Sequence, residues 1–516
     1  MAPQPVLILL LFSSLCSSAT AGDTSAAHSS AFVSTLRTAL DEISAVQSLL
    51  STLPGLLLGG HSRLSYAVQD CTELLSLSAD ELQFTLSASS STASSSTAAR
   101  RRSDLQSWLS AAVGNQITCA EGIEGTNQFV GNLVAGGLAT VTSLVHQLLS
   151  QIPATAVAAE GEVNGRRNRK LLVENGKFPA WMAAAERRLL QAPPSSLQPD
   201  AVVAADGTGD YSTVAEAVEA APEKSERRFI IYVKTGLYYE NVEINRNKWN
   251  IVLVGDGIGA TIISGSRNFV DGWTTFRTAT LAVSGKGFIM RDLTVENTAG
   301  PEKHQAVALR TDSDLSAYFS AEIAGYQDTL YAHSLRQFFR ECRISGTIDF
   351  IFGNAAAVFQ NCNITARRPL PHQKNSVTAH GRKYPDQNTG FSIHACNIIF
   401  EEEDTTVPAA APPPATYLGR PWKEYSRTVV MQSYLGEGIR EEGWLPWAGD
   451  FALNTLYYGE YMNTGPASAV VGRVQWPGFH VITDRQVASN FTVGTFIDGD
   501  VWLPATGVRY TAGLIE

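Results

Sequence analysis

The sequence predicts a small all-α helix bundle followed by an all-β domain wound as a parallel β-helix. Three observations carry that expectation: a helical periodicity over about residues 25–153, a shift in composition from Ala201 onward, and a weak internal repeat beyond it. In the first part Leu36, Leu40, Ile43, Val46, Leu49 and Leu50 recur at three- and four-residue steps, as do Leu74, Leu75, Leu82 and Leu86. That spacing gives each helix one apolar face. A serine-rich stretch, "SASSSTASSSTAARRR", separates two such blocks and reads as a flexible loop. The cysteines Cys71 and Cys119 could staple two helices of the bundle.

From Ala201 the composition turns to Val, Ile, Thr, Phe and Gly in short alternating runs. The repeat lies in "YFSAEI" from Tyr318, "FRECRI" from Phe339, "FQNCNI" from Phe359 and "IHACNI" from Ile393, at steps of 21, 20 and 34 residues. One strand-like motif per period near twenty is what stacked coils require, because each coil buries its inward side chains only against the next. A sandwich would show shorter spacings marked by hairpin turns.

The segments before and between these domains have their own character. Residues 1–21 hold an apolar run, Val6–Phe12, ending in Ala19-Thr20-Ala21, the pattern of a cleaved signal peptide. The run is too short to span a bilayer, and no later segment is expected to, so no membrane anchor is expected and the chain is read as secreted. Two N-glycosylation triplets, at Asn363 and Asn490, suit that route. Residues 154–198 form a linker with the dibasic segments Arg169–Leu172 and Arg187–Leu190, open to a processing protease that would free the domain at 199–516.

Charged residues make up 17% of the chain and hydrophobic ones 44%, with a net charge of −10. This describes a folded acidic protein, and the absence of a basic stripe argues against a nucleic-acid partner. Neither paired cysteines at CxxC spacing nor a histidine cluster points to a metal, and no cofactor is implied. G-x-S-x-G and H-E-x-x-H are both missing, which counts against serine-hydrolase and metalloesterase chemistry.

Coil stacking makes the spacing of polar residues informative. Gln305, the Gln327-Asp328 pair and Asp349 follow one another at 22 and 21 residues, so they should fall above one another on one face. Asp349 interrupts the apolar run of "GTIDFIFGN", where an ionised acid costs several kcal/mol in order of magnitude unless it is paired. Two carboxylates that close drive their pKa values apart, and a cation decides which of them stays charged. Arg420 in "LGRPWKEYSRTV" is the candidate, since a guanidinium can take a carboxylate in two parallel hydrogen bonds. Trp422 adds a flat apolar surface of the kind sugars stack on.

With those residues in place, the C-terminal part resembles the plant pectin methylesterases. The likeness is carried by "GLYYE" (236–240), "DGWTTFRTAT" (271–280), "NTAGPEKHQAVALR" (297–310), "GYQDTLYAHSLRQFFREC" (325–342), "GTIDFIFGNA" (346–355) and "LGRPWKEYSRTV" (418–429). The resemblance implies a right-handed parallel β-helix that hydrolyses methyl esters of pectin through an aspartyl acyl-enzyme. It implies Asp349 as nucleophile, Asp328 as general acid and then base, and Gln327, assisted by Gln305, as amide donors to the oxyanion. Arg420 would orient Asp349, and Thr275, Gln305 and Trp422 would contact the sugar. A disulfide between Cys362 and Cys396 is implied in the same way. Its partners would be methyl-esterified pectin, a processing protease at Arg187–Leu190 and, in some settings, a proteinaceous inhibitor, with the cell wall as location.

The N-terminal part resembles the inhibitor-like pro-region that precedes the catalytic domain in one class of these enzymes, through "DCTELLSLSADEL" and "SDLQSWLSAAVGNQITCAEG". It departs from that pattern in having no cysteine pair between Gly22 and Gln69, which argues against inhibitory competence, and Ala321 stands where many relatives have Cys. Two other classes stay open: a β-helix glycoside hydrolase or lyase acting on polygalacturonate, and a non-catalytic wall-binding or inhibitory protein. Glycosidases need two carboxylates set across a glycosidic bond, whereas paired amides and an Arg-held Asp suit an acyl oxyanion. The segment from Gln191 on has 27 basic and 35 acidic residues, a net charge of −8 that predicts a preference for heavily methylated pectin over the demethylated polyanion.

Overall fold

A computed structural model describes residues 23–52, 62–89, 95–152, 198–401 and 414–516. The N-terminal segment 1–21 and the dibasic segments of the linker lie outside the described residues.

Among the described residues four long helices come first: α1 (Asp23–Thr52), α2 (Ser62–Ser89), α3 (Ser95–Glu124) and α4 (Gln128–Ser150). The three- and four-residue steps read from the sequence are the buried stripe, with Leu36, Ile43 and Leu50 of α1 meeting Leu74, Leu82, Leu109 and Val141 in one core. Asn127 starts α4 by accepting hydrogen bonds from the amides of Phe129 and Val130, which satisfies donors that a helix N-terminus leaves orphaned. A disulfide joins Cys71 of α2 to Cys119 of α3. The lack of a cysteine pair near α1 does not stop it packing into this core.

Two sequence expectations are corrected in the bundle. The serine-rich stretch is helical over Ser87–Ser89 and again from Ser95 through Arg102, because its Ala and Arg residues have high helix propensity. Only residues 90–94 remain outside the description. In addition, α4 is long and apolar enough to cross a membrane by length and composition. Here its apolar stripe, Val130, Val134, Leu138, Val141 and Val145, is spent on the bundle core instead.

From Ala201 the chain winds into a right-handed parallel β-helix, which among the described residues has three sheets with 11, 7 and 8 strands. The repeat sets the register as expected. Tyr318 pairs with Phe339, Phe339 with Phe359, and Phe359 with Ile393. Inside the tube, Tyr318 stacks on Phe339 at 4.5 Å between ring centroids, and Phe339 on Phe359 at 4.7 Å. The Ile of each motif forms a second ladder, Ile323, Ile344, Ile364 and Ile398, on the next sheet. Between the two sheets the chain turns at a residue of positive φ in each coil: Ser320, Glu341, Asn361 and Ala395, all between 49° and 56°.

The residue after each of these corners points inward, and Cys342, Cys362 and Cys396 stack there as buried free thiols. This corrects the implied Cys362–Cys396 disulfide. The Cys362 thiol donates to the carbonyl of Phe339 and that of Cys396 to the carbonyl of Phe359, and the Cys362 amide donates to Cys396 Sγ at 3.3 Å, so the two side chains are neighbours without a covalent bond between them.

The seven-stranded sheet positions the functional residues. In chain order its strands are β1 (Val242–Ile244), β2 (Leu281–Val283), β3 (Leu309–Thr311), β4 (Leu330–Ala332), β5 (Ile351–Gly353), β6 (Asn375–His380) and β7 (Thr416–Gly419), paired in that order. Leu281, Leu309, Leu330 and Ile351 face the tube interior, each in register with the next. The alternate residues Ala282, Tyr331, Phe352 and Ala379 face outward, and their apolar surfaces pack against the helix bundle.

Candidate active site

Asp328 and Asp349 hold equivalent places, two residues before β4 and β5. Both have left-handed backbones, with φ of 63° and 51°, an uncommon conformation for a residue bearing a side chain and one that clusters at functional sites. The amide of Asp328 donates to the carbonyl of Ile348 at 3.0 Å, tying the two coils together just beside the acids. The neighbouring Gly346 is obligatory, because a Cβ there would sit 2.3 Å from that of Phe350 and 2.6 Å from the Tyr326 carbonyl oxygen. Gly353, at the end of β5, has φ 124° and would place a Cβ 2.0 Å from the Ala332 carbonyl oxygen.

Arg420, just past β7, donates from Nε to Oδ1 of Asp349 at 2.8 Å and from Nη2 to Oδ2 at 2.7 Å. The Asp349 side chain is 8% exposed, so this fork satisfies both oxygens of a buried carboxyl group. The Arg420 guanidinium lies 4.4 Å over the ring of Trp447, which fixes its plane. The carboxyl of Asp328 is pushed well above the usual carboxylate range, first by burial and second by the charge of Asp349, with Arg420 opposing. The pair thus sets a carboxyl biased toward its protonated form beside one gripped by a guanidinium.

These groups open onto a cavity of about 420 Å³ that Thr275, Gln305, Gln327 and Trp422 also line. The structure therefore brings together every polar residue that the sequence singled out. Gln305 and Gln327 sit on adjacent coils, linked by the Ala306 amide donating to the Gln327 carbonyl at 3.2 Å. Trp422 meets Phe352 edge-on at 5.9 Å between centroids. Sequence reasoning missed Phe276, Tyr331, Phe352 and Trp447, which supply the apolar wall. For Phe352 the signal was present, since strict alternation with the inward Ile351 sends it out of the tube. Among the described residues, no cluster of His, Cys, Asp and Glu could hold a metal ion.

The helix bundle also contributes to this cavity, through Arg63 and Asp70 of α2 and Thr118 and Glu121 of α3. Besides the apolar packing, its contacts with the β-helix include a set of ion pairs and hydrogen bonds. Asp70 pairs with Arg277 and accepts from the Thr274 hydroxyl, Glu73 takes Arg310 at 3.1 Å, Asp80 takes Arg246, Asp104 takes Arg336 at 2.7 Å, and Glu121 takes Lys423. Arg63 donates to the Phe269 carbonyl. Burial pushes the Asp70 carboxyl up to about 6, with Arg277 pulling the other way.

The pectinesterase family model matches residues 200–500, and the model for plant invertase/pectin methylesterase inhibitors matches residues 11–152. The chain is 54% identical to "Pectinesterase/pectinesterase inhibitor PPE8B" of Prunus persica, over 93% of this chain and 89% of that one. It is 50% identical to "Probable pectinesterase/pectinesterase inhibitor 32" of Arabidopsis thaliana, over 94% of this chain and 91% of that one. Among solved structures, "Pectin methylesterase from Carrot" is 56% identical with a TM-score of 0.60, covering 62% of this chain and 99% of that one.

Proposed function

This chain belongs to the pectinesterase family, whose activity is hydrolysis of the methyl esters of pectin, and we propose that Asp349 carries that reaction as its nucleophile. The carboxylate oxygen attacks the ester carbonyl carbon of a methylated galacturonate unit. The negative charge passes to the carbonyl oxygen, where the amides of Gln327 and Gln305 donate hydrogen bonds. Collapse of this intermediate breaks the bond to the methoxy oxygen, which takes the Asp328 proton and leaves as methanol. Asp349 is then an acyl-enzyme. Asp328, now a carboxylate, takes a proton from water as that water attacks the acyl carbon, and the second collapse frees Asp349 and the galacturonate acid.

The observation that carries this assignment is the difference between the two acids: Asp349 is gripped at both carboxylate oxygens by a guanidinium, whereas Asp328 has no such fork and is pushed toward its protonated form by burial and by its neighbour's charge. A glycosidase would need both carboxyls on opposite faces of a glycosidic bond, and nothing in the amide pair serves that chemistry. Residues 198–516 with Asp349→Asn should release no methanol from methylated pectin while keeping the wild-type fold. Undiminished methanol release by that variant would overturn the assignment.

The same reading extends to the rest of the chain. The helix bundle sits over the cavity that opens onto Asp328 and Asp349, and this supports a role as a cover that keeps the esterase closed until the linker is cut. Cleavage at Arg187–Leu190, or at Arg169–Leu172, by a processing protease would then release the active part. Export directed by residues 1–21, glycosylation at Asn363 and Asn490, and action on pectin in the cell wall complete the proposal. Asn363 is exposed, as an acceptor must be. A proteinaceous inhibitor would bind the face that the bundle vacates.

A further inference from the structure

The side of β7 away from β6 is an edge of the sheet, and Arg420 follows directly on that strand. The segment 439–445 completes the edge through isolated bridges, Thr416 with Ile439 and Gly419 with Trp444. The Leu418 amide donates to the Gly443 carbonyl at 2.8 Å, and the Leu445 amide to the Gly419 carbonyl at 3.0 Å. The Trp444 ring lies against the residue before Arg420, since a Cβ on Gly419 would come within 3.2 Å of it. Three residues further on, Trp447 carries the ring over which the Arg420 guanidinium sits. One segment therefore sets both the backbone and the plane of the group that grips Asp349.

Arg473 holds that segment. Its Nη1 donates to the Glu441 carbonyl at 2.9 Å and its Nη2 to the Ala467 carbonyl at 2.7 Å, while Nε and Nη2 reach Glu460 Oε1 and Oε2 at 2.7 and 3.1 Å. Gly443, at φ 70°, makes room for the arginine stem, because a Cβ there would stand 2.4 Å from Cδ. The side chains of Arg473 and Glu460 are 1% and 2% exposed. Glu460 also accepts from Trp444 Nε1 at 3.2 Å, and the Trp444 ring stacks on Tyr458 at 4.1 Å. Arg420 and Trp447 line the cavity, whereas Trp444, Glu460 and Arg473 stand behind it.

A buried ion pair is a poor route to stability, since apolar side chains of similar volume often serve as well or better. Apolar surroundings are already at hand here, with Trp444, Leu456 and Tyr458 in the core of the tube. What the guanidinium adds is direction: its planar fork ties the main chain at Glu441 and Ala467 to the strand Tyr457–Tyr461. Resting on the esterase reading above, we propose that Arg473 and Glu460 are positioning residues for the reaction. Acting through Trp444 and the segment they anchor, they fix Arg420, and Arg420 aims Asp349. A misplacement of about 1 Å in such a constellation costs on the order of a hundredfold in rate, so slack at this sheet edge is felt at the ester.

The test uses residues 198–516, because the solved carrot enzyme, 99% of which matches 62% of this chain, forms the fold without a helix bundle. Wild type, Trp444→Phe and the pair Arg473→Met with Glu460→Met are compared, each alone and combined with Arg420→Lys. The readouts are kcat for methanol release from methylated pectin and the urea midpoint. Trp444→Phe and the methionine pair should each lower kcat about tenfold, with the midpoint of the methionine pair staying near that of wild type. In the Arg420→Lys background neither should lower kcat by more than about twofold, because the group they act through is already gone. A structural role alone would subtract the same factor in both backgrounds. Should the methionine pair fail to fold, Trp444→Phe decides by the same comparison, since it leaves both members of the ion pair in place. No loss for Trp444→Phe, or an equal loss on top of Arg420→Lys, would overturn the proposal while leaving the esterase reading intact. Wild type releasing no methanol would overturn both.

Discussion

The guanidinium of Arg420 reaches Asp349 across 71 residues of sequence and meets both of its carboxylate oxygens, at 2.8 and 2.7 Å. A fork of that geometry has no equivalent in lysine, whose ammonium is a point charge. Arg420→Lys should therefore lower kcat by about a hundredfold, as the loss of roughly 3 kcal/mol of orientation and charge stabilisation implies. Arg420→Ala should also lower the unfolding free energy, by about 3 kcal/mol, because Asp349 is left buried without a partner. Methanol-release kinetics and urea denaturation check the two effects separately.

The elevated pKa of Asp328 has two causes, and one of them can be removed. Asp349→Asn takes away the neighbouring negative charge and frees Arg420, both of which lower the Asp328 pKa, while the burial remains. A carboxyl-carbon NMR titration should show Asp328 losing its proton at lower pH in the variant than in wild type. An unchanged midpoint would mean that the two acids do not sense each other.

Docking of the helix bundle should depend on pH through Asp70. Buried against Arg277, Thr274 and Arg310, with Glu73 alongside, its carboxyl is pushed up to about 6 from the usual value near 4. The docked state thus binds the proton more tightly, so docking is most favourable below pH 4, weakens up to pH 6, and levels off above. The full swing is at most about 3 kcal/mol. Glu81, raised by burial and by Asp314 and Asp80 against Lys286 and Arg336, adds in the same sense. A chain cut in the linker should stay associated at pH 4.5 and separate more readily at pH 7.5, and Asp70→Asn should narrow that difference.

Two glycines make opposite predictions. Gly346→Ala forces a Cβ against the backbone of Tyr326 and the side chain of Phe350, and should cost about 2–4 kcal/mol. Gly136→Ala, on the exposed face of α4 with nothing within 4 Å of the added atom, should gain about 0.5–1 kcal/mol. Denaturant midpoints of the two variants, one lowered and one raised, are the readout.

The aromatic-to-Ile motif was enough to read coil length and register, because Tyr318, Phe339, Phe359 and Ile393 must stack for any of them to be buried. Equal spacing likewise placed Gln305, Gln327, Asp328 and Asp349 on one face. What spacing could not supply was the side chains that reach the cavity from outside the repeat. Trp447 stands in a loop with no period, and Asp70 and Glu121 belong to another domain altogether. The thiol stack misled for a similar reason: sequence distance between Cys362 and Cys396 reports one coil, not whether the two sulfurs are joined. The serine-rich run misled because composition outweighed propensity in reading it.

The strict alternation along β2 to β6 separates two inheritances. Positions 282, 331, 352 and 379 look out on the groove, whereas their immediate neighbours hold the tube together. Substitutions at the former can retune which polymer the protein accepts without loosening the scaffold. A one-residue insertion in the same strands would exchange the two sets and ruin both. Variation among sister enzymes should accordingly collect at every second residue of this sheet.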